Sequence, residues 1–98
     1  MQNNISNVKQ ILKEQMPFLE KEYNVKTIGI FGSYARNEQE EQSDVDVLVE
    51  YSKTPGFFEF IKLENYLSDI LKVKVDLVTK EALKPIIKDN ILNETVYV

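Results

Sequence analysis

The chain has neither cysteine nor histidine among its 98 residues. Without cysteine there is no disulfide and no thiolate metal site; without histidine there is no imidazole base and no His-ligated zinc. Any metal held by side chains must therefore sit on oxygen. Positive charge is also in deficit, with 12 Lys and Arg against 16 Asp and Glu for a net charge of -4. That balance weighs against binding nucleic acid by neutralising its phosphates, and it suits association with a basic protein partner through steering. No apolar run approaches the roughly twenty residues that span a membrane. The opening MQNNISNVKQ lacks a basic start followed by an apolar block, so a cytoplasmic protein is expected. An apolar share of 43% is ordinary for a folded chain, and the length predicts one domain over residues 1–98.

Against this background one stretch stands out, IGIFGSYARNEQEEQSDVDVLVEY from Ile28 to Tyr51. Gly32 permits a sharp turn and close approach of a ligand to the backbone, and Ser33 stands where a short helix is predicted to open with unpaired N–H groups. A helix start of that kind attracts anions, and Arg36, three residues on, would share a face with Ser33. A lone Gly-Ser before a helix is more often a plain N-cap. Further on, Asp44 and Asp46 are one residue apart at the entrance to an apolar strand, so side-chain alternation puts both on one face and Val45, Val47 and Val49 on the other. Two adjacent carboxylates repel one another, and a divalent cation removes that conflict. Mg²⁺ fits best, because it takes oxygen ligands and binds through one or two carboxylates plus substrate phosphates. In isolation an Asp-x-Asp pair more often marks a solvated strand entrance.

A third carboxylate, Asp76, lies inside the apolar run Lys72 to Thr79, which reads as another strand. A buried aspartate there is costly unless paired or metal-bound, whereas on an edge strand it would simply face water beside Lys72 and Lys74. Around these strands, Asn4 or Ser6 can cap a first helix with Ile5, Val8, Ile11, Leu12, Met16 and Leu19 on its apolar face, kinked or restarted at Pro17 and ending near Tyr23-Asn24. Val25 to Phe31 reads as the first strand, antiparallel and adjacent to the Asp44–Val49 strand. Phe57 to Leu71 reads as a helix after the Pro55-Gly56 breaker, with its aromatic residues packed on the sheet, and the strand-helix-strand order predicts a right-handed crossover. Lys80 to Glu94 is predicted as a final helix interrupted near Pro85, with Leu83, Ile86, Ile87 and Ile91 apolar, and Thr95 to Val98 as a short strand or loose end.

Gly32-Ser33, ten intervening residues, Asp44-x-Asp46 and a later strand aspartate resemble the nucleotidyltransferase superfamily that includes DNA polymerase beta. The fuller wording GSYAR…SDVDVLV is similar to its minimal nucleotidyltransferase branch, the small partner in HEPN/MNT toxin-antitoxin pairs; Asn37 departs from the glycine common after the arginine. The resemblance implies an α/β (α+β) nucleotidyltransferase fold with a small mixed sheet of three or four strands. It implies an enzyme that transfers AMP from ATP to a hydroxyl, with two Mg²⁺ ions on Asp44, Asp46 and Asp76 and the nucleotide on Gly32, Ser33 and Arg36. Asp76 would also take the acceptor proton, while Arg36 either supports phosphate charge or pins the acidic loop. Larger antibiotic-modifying relatives use an additional helical domain for the acceptor, so here the hydroxyl is expected on another molecule, a tyrosine of a HEPN-type ribonuclease toxin. The competing readings are an antitoxin that neutralises its partner by binding alone, and a small antibiotic-modifying transferase. RNA tailing is disfavoured by the acidic balance.

Overall fold

A computed structural model describes residues 4–98; Met1 to Asn3, the start of the opening MQNNISNVKQ, lie outside the described residues. The elements run α1 (Ile5–Tyr23), β1 (Val25–Phe31), β2 (Val45–Tyr51), α2 (Phe57–Leu71), β3 (Val75–Thr79), a 3-10 turn (Lys80–Ala82), α3 (Pro85–Glu94) and β4 (Val96–Tyr97). The strands form one mixed sheet in the order β3-β2-β1-β4. β1 lies antiparallel to both β2 and β4, and β3 runs parallel to β2, as a helical crossover requires. The four-stranded sheet falls within the predicted fold class.

Alternation decides which face does what. Ile28 and Ile30 of β1, Val45, Val47 and Val49 of β2, and Val75 and Leu77 of β3 form one buried layer with Val8, Leu12 and Leu19 of α1 and Leu63, Leu67 and Leu71 of α2. The register slips between Val25 and Thr27, and this bulge lets Val25 join the same layer. Asp46 and Asp76 therefore project from the opposite face of the sheet. β3 is an edge strand, and its outward N–H groups are covered by α2: Val75 donates to Ser68 Oγ at 3.0 Å and Leu77 to Glu64 Oε2 at 2.9 Å.

Several expectations need correction. α1 runs unbroken through Pro17, which sits on the exposed face while Leu12 and Leu19 on either side are fully buried; core packing outweighs the missing hydrogen bond. Of the two expected cap candidates Asn4 takes the role, as one of the alternatives had it, accepting from the Asn7 N–H at 2.9 Å. β3 begins at Val75, because Lys72 takes the left-handed conformation that closes α2. Phe57 and Phe58 do not pack on the sheet: they are 74% and 76% exposed and touch each other edge-on. Nor does α3 bury an apolar face, since Ile86 is 87% exposed, and Pro85 starts this helix at N1 instead of interrupting a longer one.

Candidate active site

The turn after β1 is the first component. Gly32 adopts φ +74°, a left-handed conformation that favours glycine. The segment from Gly32 to Asn37 is a run of turns and not the expected short helix. Arg36 N–H reaches Gly32 O, Asn37 N–H reaches Tyr34 O, and Glu38 N–H reaches Ser33 O at 2.8 Å. Asn37, at φ +57°, ends the potential helix after a single turn. Tyr34 anchors the turn by joining the buried core, and that burial pushes its phenol up. Ser33 is half-buried within the same turn.

β2 and β3 supply the second component. In the parallel register Asp46 stands directly beside Asp76. Asp44 lies just before β2, exposed, with one oxygen 3.9 Å from Lys74 Nζ, too open a pair to hold it firmly. Burial, then the charges of Asp76 and Asp44, push the Asp46 carboxyl above its ordinary range; Arg36 opposes the rise and Glu94 adds to it. Turn and strand meet closely here. A Cβ built on Gly32 would fall 2.0 Å from Asp46 Oδ2, so the absence of a side chain at position 32 makes room for this carboxylate.

The predicted site residues are thus brought together unequally. Asp46, Asp76 and Gly32 adjoin, and Asp44 is close enough to act on Asp46. Among the described residues no three acidic side chains close into a ready-made metal cage. The donor set nevertheless suits a hard cation: every candidate ligand is a carboxylate oxygen, and Asp46 carries repulsion, offset only in part by Arg36, that a divalent ion would relieve. Arg36 does pin the acidic loop, through Glu38 at 3.1 Å, and it also grips Glu94 at 3.1 and 3.3 Å.

Glu94 escaped sequence reasoning. It ends α3, yet its Oε1 accepts from the Gly32 N–H at 2.9 Å. One signal was available, an acidic residue in the last turn of a helix, where the macrodipole disfavours negative charge and a specific partner is expected.

A family model described as a nucleotidyltransferase domain matches residues 5–98. The chain belongs to the nucleotidyltransferase domain family. A relative from Methanocaldococcus jannaschii, named as a protein adenylyltransferase, is 54% identical over 95 residues, covering 96% of this chain and 97% of its own. Among solved structures, one described as a minimal nucleotidyltransferase superposes with a TM-score of 0.80 at 26% identity, covering 96% of this chain and 95% of that one. A complex from Shewanella oneidensis, of a tri-AMPylated HEPN toxin with an MNT antitoxin, shares the fold at a TM-score of 0.64 and 20% identity, over 91% of this chain and 70% of that one. This nucleotidyltransferase accordingly has the minimal form of its fold. Among its described residues no helix is long and apolar enough to cross a membrane.

Proposed function

We propose that this chain is a single-domain, cytoplasmic antitoxin enzyme that transfers AMP from Mg²⁺-bound ATP to a tyrosine hydroxyl of a HEPN-type ribonuclease partner, silencing it. The observation that carries the reading is the half-buried Asp46 carboxylate, in register with Asp76 and pressed against Gly32. Binding alone gives no reason to hold like charges side by side next to an anion-binding turn. The names of the relative and of the toxin complex support adenylyl transfer to a protein and a HEPN partner.

Asp44, Asp46 and Asp76 would hold two Mg²⁺ ions, which when bound supply charge neutralisation for the triphosphate and for the oxygens of an in-line displacement. The chain's own groups do the rest. Gly32, by its N–H, and Ser33, by its hydroxyl, hold the outer phosphates, and Arg36 adds positive charge beside them. Asp76, exposed on β3, accepts the proton of the acceptor hydroxyl. The hydroxyl oxygen then bonds to the α-phosphorus as the bond from that phosphorus to the β-phosphate's bridging oxygen breaks, and pyrophosphate departs. The rigid sheet supplies positioning, which is most of what such a reaction needs from a protein.

The test is to incubate the purified chain with Mg²⁺ and ATP, with and without the product of the neighbouring reading frame, and to follow intact masses. One or more AMP increments on the partner's tyrosine are expected. Protection of the partner without any mass change, retained in Asp44→Asn and Asp46→Asn, would instead establish neutralisation by occlusion.

A further inference from the structure

Glu94 occupies the two donors that a phosphate would need. Its Oε1 takes the Gly32 N–H at 2.9 Å, and its two oxygens take the Arg36 guanidinium at 3.3 and 3.1 Å. Backbone N–H at a glycine turn together with a guanidinium is a common anion-recognition set, and it does not distinguish a carboxylate from a phosphate. Apart from those contacts Glu94 is badly placed. It stands at the C-terminal end of α3, where the helix presents partial negative charge, and within the field of Asp46. Once phosphate oxygens take Gly32 and Arg36, no other hydrogen bond or ion pair among the described residues holds the Glu94 carboxylate beside them, and the phosphate and Asp46 drive it away.

We propose that Glu94 is a positioning residue that serves as an internal substitute for phosphate: it keeps the Gly32 turn and Arg36 aligned before nucleotide arrives and swings out as the triphosphate takes its donors. The proposal rests on the nucleotidyl-transfer reading above. The movement is confined to the side chain, because the backbone on its C-terminal side is fixed. Val96 and Tyr97 pair with β1, Val98 N–H donates to Ile28 O at 3.0 Å, and Thr95 Oγ1 donates to Ile91 O at 2.6 Å. Thr95 also packs so tightly over Gly29 that a Cβ there would come within 2.5 Å of its Cγ2. The Glu94 side chain is 29% exposed, which leaves it a path into solvent.

A structural strut and an internal competitor differ in the sign of their effect on nucleotide affinity. Calorimetric titration of a non-hydrolysable ATP analogue with Mg²⁺, and separately of tripolyphosphate with Mg²⁺, into wild type, Glu94→Gln, Glu94→Ala and Asp46→Asn makes that comparison, with thermal unfolding run alongside. Loss of the charge-assisted contacts should tighten both probes by about tenfold in the two Glu94 variants. Should Glu94→Gln not fold, Glu94→Asp, whose carboxylate is one methylene short of both donors, carries the same expectation. Folded Glu94 variants that bind no tighter than wild type, while wild type binds and Asp46→Asn does not, would overturn the proposal and leave nucleotidyl transfer standing. No binding by wild type or any variant would overturn both.

Discussion

Replacing Gly32 with alanine strikes at the junction on which the site depends. Two costs can be worked out. At φ +74° an alanine takes a left-handed strain of about 1–2 kcal/mol. Its Cβ would lie 2.0 Å from Asp46 Oδ2, closer than real Cβ contacts come, so the carboxylate or the turn must shift by about 1 Å. Rotating the aspartate away relieves the contact cheaply, since the atom in the way is the far end of a flexible side chain, and that rotation removes it from alignment with Asp76. Gly32→Ala should therefore lose only about 1–3 kcal/mol of stability by urea unfolding. It should lose roughly a hundredfold in AMP transfer, because a displacement of this size in reacting groups typically costs that much. A well-folded Gly32→Ala protein that transfers AMP at nearly the wild-type rate would show that the close approach of turn and strand is not needed.

Asp46→Asn should be more stable than wild type near neutral pH. The Asp46 carboxyl is held above its ordinary range, so the native state binds more protons than the unfolded state and wild-type stability falls as pH rises from the ordinary carboxylate range through the raised value. Thermal unfolding across pH should show the advantage of Asp46→Asn vanish in acid, and Mg²⁺ should stabilise wild type more than the variant. Leu67→Ala, at a fully buried position between α2 and the sheet, should cost about 2–5 kcal/mol in urea unfolding. Tyr51→Phe should be neutral or stabilising by up to about 1 kcal/mol in the same measurement, because the hydroxyl is buried without a hydrogen-bond partner among the described residues. Burial pushes that phenol up to about 12, so it stays neutral throughout the ordinary pH range.

What the sequence disclosed was its regular part. Alternation along Val45–Val49 assigned the faces of β2, and the periodicity of α1 picked out Val8, Leu12 and Leu19, because burial on one side imposes its period directly on residue type. The pairing of Asp46 with Asp76 followed once β2 and β3 were neighbours. What stayed hidden depended on local competition or long-range contact. A single left-handed residue, Asn37, stops the helix that Ser33 was expected to open. Phe57 and Phe58 have core-forming side chains but lie in the first turn of α2, where they stay largely exposed. Glu94 lies 62 positions from Gly32, and its acidic side chain at the end of α3 announces that a partner exists without saying which.

In the proposed reaction AMP passes from ATP to the partner at the carboxylates of β2 and β3. The most direct measurement uses ATP labelled at either the α- or the γ-phosphate, with label followed onto the partner's tyrosine in the presence of wild type, Asp46→Asn or Asp76→Asn. Label should arrive from the α-phosphate only, and only with wild type. Transfer of the γ-label, or α-label transfer that survives both substitutions, would contradict the assignment of this reaction to this site.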